Sequence, residues 1–125
     1  MKIEYCCITD KGTVRQANED SILCNEEIIN LRDHYESPEA IYVEIQDDVI
    51  CFSVADGMGG HEAGEIASRL TLEKLSEQIK KNSVSLLNET DMLKSVIETI
   101  HAEITEFGNV SGKKGMGTTL AGAIF

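Results

Sequence analysis

Val49-Ile-Cys-Phe-Ser-Val-Ala-Asp-Gly-Met-Gly-Gly60 is the stretch on which the fold turns. From Val49 to Ala55 the residues are almost continuously apolar. A run without polar alternation predicts a strand buried on both faces, and therefore a central one. The run stops abruptly at Asp56-Gly-Met-Gly-Gly60. Gly57, Gly59 and Gly60 fall within four positions, which predicts backbone at positive φ or a close approach to another group.

Two helices are expected downstream. The first spans Glu62 to Lys81, with Ile66, Leu70, Leu75 and Ile79 along one side. The second spans Glu89 to Phe107. Its apolar residues Met92, Leu93, Val96, Ile97, Ile100, Ile104 and Phe107 follow helical spacing, and Gly108 is a plausible stop. After a glycine-rich loop, Gly112 to Gly117, the segment Thr118 to Phe125 reads as a second buried strand. Its apolar edge would lie either inside the core or against a missing neighbour, in which case the chain is a piece of something longer. The second case predicts self-association through this strand. Upstream, Lys2 to Ile8 reads as a strand, Asp10-Lys-Gly-Thr13 as a turn and Ser21 to Asn25 as a short strand. Ile41 to Ile45 reads as an exposed strand that Asp47-Asp48 turns into the next, with Pro38 in the preceding loop.

The 125 residues carry 22 acidic and 11 basic side chains, a formal charge of −11. That balance excludes nucleic acid, whose binding rests on Lys and Arg displacing counterions, and disfavours an anionic membrane surface. It suits hard divalent cations, which take oxygen ligands. No apolar stretch approaches the roughly 20 residues of a membrane span, and Met1-Lys-Ile-Glu-Tyr5 opens no signal peptide. The expected location is therefore the cytoplasm. Cys6, Cys7, Cys24 and Cys51 match no zinc spacing and read as buried free thiols, because the reducing cytosol disfavours disulfides.

Three segments could carry chemistry. Asp56-Gly57 places a carboxylate at the end of a rigid strand, beside a carbonyl that a ligand can approach unobstructed. The pair reads as a metal site or as an Asx-type turn, and two residues do not separate these. In Arg15-Gln-Ala-Asn-Glu-Asp20, Glu19 and Asp20 repel unless solvated or sharing a cation, and Arg15 offers a fork for phosphate. A solvated loop with a surface ion pair is the alternative. The loop Asp56 to His61 precedes a helix, whose amides could hold an anion. It fits neither common nucleotide-binding pattern, and its leading aspartate argues against phosphate. His61 reads as a helix-start residue, and His34 and His101 as solvent-facing.

Three motifs, Thr9-Asp-Lys-Gly-Thr-Val-Arg-Gln-Ala-Asn-Glu-Asp-Ser21, Val54-Ala-Asp-Gly-Met-Gly-Gly-His-Glu-Ala-Gly-Glu65 and Gly115-Met-Gly-Thr-Thr-Leu-Ala-Gly122, occur in order. Together they resemble the metal-dependent protein phosphatases, the type 2C serine/threonine family in its bacterial form. The likeness covers nearly the whole chain except residues 26–48, a probable insertion in an N-terminal portion spanning 1–125. It implies an α+β fold, part of a four-layer α-β-β-α sandwich of two antiparallel sheets flanked by helices, with two Mn²⁺ or Mg²⁺ ions at one end. By motif match, Asp56 bridges the ions and the Gly57 carbonyl binds one. Glu19 and Asp20 join the cluster in part through water, and Arg15 holds the substrate phosphate. A metal-activated water would attack phosphorus directly, without a phosphoenzyme. Phosphorylated proteins would be the substrates and a serine/threonine kinase a partner. Met58 stands where animal and plant forms carry a histidine proposed as general acid, and a thioether donates no proton. The family's later Gly-Asp-Ser strand motif and further aspartates are not in this chain. The expected activity is therefore that of a fragment, inactive by itself. The alternative is a non-catalytic, truncated phosphatase-like binding module.

Overall fold

The computed structural model describes residues 1–45, 49–60 and 62–125, with the backbone alone for 83–88. Its strands are β1 (Lys2–Tyr5), β2 (Ile8–Asp10), β3 (Asp20–Cys24), β4 (Glu27–Ile29), β5 (His34–Glu36), β6 (Ile41–Glu44), β7 (Cys51–Met58), β8 (Gly117–Thr118) and β9 (Ala121–Ile124). Helices α1 (Glu62–Asn88) and α2 (Thr90–Val110) lie between β7 and β8. All described strand pairs are antiparallel. The class is α+β, as expected.

The main sheet runs β4-β3-β7, with β8 and β9 both on the far side of β7. Strand β7 is central, but it is not buried on both faces. Cys51, Ser53 and Ala55 are buried against the helices, whereas Val54 is 53% exposed. The outer face is only partly covered: the Tyr5 ring sits 4.7 Å from that of Phe52, and Phe125 meets Phe52 edge-on. A second small core of Cys7, Ile22, Cys24 and Ile29 lies on this side. The inner face carries the main core, in which Leu23, Cys51 and Ala55 pack on Ala63, Ala67 and Leu72 of α1. Behind α1 lies α2, burying Val96, Ile100, Ile104 and Gly108.

The expected boundary of the first helix near Lys81 matches a kink: Asn82 leaves helical backbone at φ −129° and the helix resumes. Gly108 is not a stop. It is buried inside α2, because a Cβ there would come within 3.0 Å of the Lys113 carbonyl and the Met116 side chain. Nor is Thr118 to Phe125 one buried strand. It divides into β8 and β9, and Ala121, Gly122 and Ala123 are exposed, because β9 is at the sheet margin with only β7 beside it among the described residues. Lys2 to Ile8 also divides, at Cys6-Cys7, since β1 pairs with β6 and β2 with β5. Segment 26–48 supplies three short strands. Ile41–Glu44 is the exposed one expected, and the turn assigned to Asp47-Asp48 lies outside the described residues.

The cysteines correct a further expectation. Cys7 and Cys24 form a disulfide, Cys6 is exposed and only Cys51 is a buried free thiol, its pKa raised by that burial. The second core brings Cys7 against β3, an adjacency with no trace in the spacing. Among the described residues, no helix is long and apolar enough to cross a membrane.

Candidate metal centre

The register of β3 on β7 sets Asp20 directly opposite Asp56. Opposed residues of an antiparallel pair project from the same face, so two carboxylates meet there. Their charges act on one another across the strand pair. Burial raises the Asp20 pKa first of all, then the charge of Asp56 and the Asp56 hydrogen bond, with Glu19 adding and Arg15 opposing. Like charges held face to face call for a shared proton or a cation.

Asp56 does not sit after the strand, as its sequence suggests, but inside it. The strand continues to Met58 before Gly59 and Gly60 turn at positive φ. Its backbone is held by the third motif. The Thr119 amide donates to the Asp56 carbonyl at 2.9 Å and the Thr118 hydroxyl donates to it at 2.8 Å. The Asp56 amide donates to the Thr119 hydroxyl at 3.1 Å rather than to a strand carbonyl. The ladder from β7 to β8 and β9 lapses opposite this residue while keeping one register on either side. Threonine hydroxyls thus replace the missing rung.

Asp20 is held as firmly. Its amide donates to the Asn18 side-chain oxygen at 3.1 Å, and the buried Asn18 donates to the Thr9 hydroxyl at 2.7 Å. The Glu19 carbonyl accepts from the Ser68 hydroxyl at 2.7 Å and the Gly57 amide at 3.2 Å. Gly57 lies so close to α1 that a Cβ would fall on the Gly64 carbonyl. Only glycine permits this crossing, which seats the Glu19 carboxylate over Gly64. Arg15 Nη1 stands 3.8 Å from Glu19 Oε2, with the guanidinium largely exposed.

Asp10, Lys11, Arg15, Glu19, Asp20 and Asp56 line one cleft of about 200 Å³. Every candidate side chain is therefore in one place. Gly57 adjoins it in β7, Met58 is 54% exposed at the strand end, and His61 lies outside the described residues. His34 is half-exposed, as expected, yet its Nδ1 is 2.9 Å from Asp10 across β2 and β5. The sequence reading missed Asn18, Ser68, Thr118 and Thr119 as supports. The Gly-Thr-Thr motif was visible, but its role depends on which residue it faces.

The donor set is carboxylate and carbonyl oxygen, which suits Mg²⁺ or Mn²⁺. Among the described residues, no three His, Cys, Asp or Glu side chains converge closely enough to hold a metal unaided. The opposed pair therefore fits as part of a larger ligand set.

No family model matches the chain. It is 34% identical over 119 residues to the serine/threonine phosphatase stp of Listeria monocytogenes serovar 1/2a, covering 93% of this chain and 40% of that protein. Protein phosphatase PhpP of Streptococcus pneumoniae serotype 2 is 29% identical over 119 residues, covering 94% of this chain and 41% of its own length. The crystal structure of the Mycobacterium tuberculosis serine/threonine phosphatase PstP/Ppp superposes with a TM-score of 0.64 at 27% identity, over 99% of this chain and 42% of that one. The chain thus spans about two fifths of the length of the curated relatives it matches.

Proposed function

We propose, from its relationship to the bacterial type 2C serine/threonine phosphatases, that this chain is the N-terminal portion of such an enzyme and carries half of its metal centre. The remaining ligands, and the rest of the four-layer sandwich, would come from beyond the two fifths matched here. The whole protein would be a cytoplasmic hydrolase of phosphoserine and phosphothreonine on proteins, acting on the products of a serine/threonine kinase. Residues 1–125 alone would be inactive, with 26–48 as an insertion.

The observation that carries the reading is the Asp20–Asp56 pair, face to face across β3 and β7. Asp56, Asp20, Glu19 and the Gly57 carbonyl would hold the two Mn²⁺ or Mg²⁺ ions on this side of the site. When bound, such ions neutralise charge on the transferring phosphoryl group and activate water for direct attack on phosphorus. Thr118 and Thr119 fix the Asp56 backbone, so its carboxylate does not have to be ordered at the moment of binding. Asn18 does the same for Asp20. Arg15 stands at the rim with exposed N–H donors and would turn its fork from Glu19 to the substrate phosphate. Met58 offers no proton to the leaving oxygen, so the serine or threonine alkoxide would take one from solvent or another group.

The test uses the whole protein with a phosphothreonine peptide. Asp56→Asn should lose most of kcat, because an amide supplies no charge to either ion. Arg15→Ala should raise KM about tenfold or more, the loss of one charge-assisted hydrogen-bonded contact, while Mn²⁺ affinity measured by calorimetry stays near wild type. Retention of wild-type rate by Asp56→Asn under limiting Mn²⁺ would overturn the assignment.

A further inference from the structure

A second cleft, of about 440 Å³, adjoins the first and shares Arg15 and Glu19 with it. Its other charged walls are Arg32, Lys113 and Glu62. Three of the 11 basic residues of a chain with net charge −11 thus surround one cavity, where low-dielectric walls concentrate their field. Neither Arg32 nor Lys113 belongs to the three motifs that carry the metal-centre residues. Arg32 comes from segment 26–48, which those motifs leave unexplained.

We propose that Arg32 and Lys113 form an anion-binding subsite beside Arg15 that takes the acidic side chains flanking a phosphorylated residue. The identity of the phosphorylated residue's own contact rests on the reading of Arg15 given above. Both cations have donors to spare. The Arg32 Nε is 3.7 Å from Glu65, and the side chain is 64% exposed, which leaves the terminal nitrogens open. Among the described residues Lys113 makes no ion pair. Of the local acids, Glu19 faces Arg15 and Glu65 faces Arg32, while Glu62 lies in the first turn of α1, where the helix dipole favours its charge.

Both cations also sit on backbone fixed in advance. The Arg32 carbonyl accepts from the Asn18 amide at 2.7 Å, the Asp33 carbonyl accepts from the Lys11 amide at 3.0 Å, and Lys11 pairs with the Asp33 carboxylate. These bonds tie segment 26–48 to the loop that carries Arg15. The Lys113 amide donates to the Gly108 carbonyl at 2.9 Å and its carbonyl accepts from Met116 at 3.2 Å. Met116 in turn packs so closely on Gly59 that a Cβ there would lie 3.0 Å from its Cα. A peptide would therefore meet a preformed pair of charges, with little backbone ordering to offset on binding. Its phosphate would lie at Arg15 and its acidic neighbours along Arg32 and Lys113.

The test is an amide NMR titration of the whole protein with three peptides of equal length: a phosphothreonine peptide with Asp and Glu flanks, one with Ala and Ser flanks, and the acidic peptide unphosphorylated. The acidic phosphopeptide should bind about tenfold tighter than the neutral one, a difference of about 1.4 kcal/mol, and should shift the Lys113 amide. The double variant Arg32→Gln, Lys113→Gln should lose that preference and keep its affinity for the neutral phosphopeptide. Lys113→Glu should turn the preference toward basic flanks. Equal affinity for both phosphopeptides, or a preference that survives the double variant, would overturn the subsite. If phosphorylation adds nothing while the acidic preference persists and both variants alter it, the subsite stands and the reading of Arg15 fails.

Discussion

Two ionised aspartates directly across a strand pair repel each other, and Asp20 and Asp56 hold that arrangement at one end of the sheet, with Asp56 exposed. Burial and the neighbouring Asp56 charge raise the Asp20 pKa, so the folded chain binds this proton more tightly than the unfolded chain does. The sign follows directly. The contribution favours folding at low pH and is lost as pH rises through the carboxylate range. In the metal-free chain at neutral pH, Asp56→Asn should therefore raise stability in urea denaturation, by up to about 1 kcal/mol for one opposed like-charge pair. Saturating Mn²⁺ should reverse the order, stabilising the wild type and leaving the variant behind. A metal-free variant less stable than wild type at neutral pH would show that Asp56 is a structural residue. The resemblance of the motifs implies that both belong to one metal cluster, but nothing in the residues themselves places them together: Asp56 is the end of one apolar run and Asp20 the start of another. Residue types and motif spacing mark both as candidates, but their meeting depends on a register that no local signal encodes.

At the scale of elements, periodicity served where one face decides burial. Helix α2 matches its apolar stripe in part: Val96, Ile100 and Ile104 are buried in the core shared with α1, whereas Ile97 and Phe107 are exposed. Strand β7 was legible as central and misread as buried twice over, since apolar character on its outer face did not reveal that so little covers Val54. Gly108 was misread for a related reason: glycine marks a stop or a close contact, and here the contact won. The short strands β4 and β5 gave no signal, because three residues carry too little patterning, although Ile29 of β4 is buried in the second core. The lapse in the ladder at Asp56 gives Thr118 of β8 and Thr119 just after it a task beyond pairing. Thr119→Val keeps the shape and removes the hydroxyl that accepts the Asp56 amide. Losing such a support of a ligand should weaken Mn²⁺ binding about tenfold or more, measured by calorimetry, with the thermal melt still cooperative. Unchanged affinity would mean that the rest of the ladder holds Asp56 unaided.

Across the whole molecule, charge and shape divide into two regions. The acidic end of the sheet holds the clefts, while the opposite margin carries β9, with exposed Ala121 to Ala123 and no outer partner among the described residues. A cavity of about 390 Å³ opens there among Cys51, Leu75, Leu93, Ile97, Leu120 and Ile124. Such a margin pairs readily with another strand, so the 125-residue chain should self-associate at micromolar concentration in sedimentation runs. A single monomeric species would show that this margin is closed in solution. Whether Asp20 and Asp56 gather a cation is measured most directly by paramagnetic broadening by Mn²⁺ in amide NMR spectra of the whole protein. Substoichiometric Mn²⁺ should extinguish the signals of Asp20, Asp56 and Gly57 first, and Asp56→Asn should abolish that order. Broadening that begins at other carboxylates, or that the variant leaves unaltered, would contradict a cation site there.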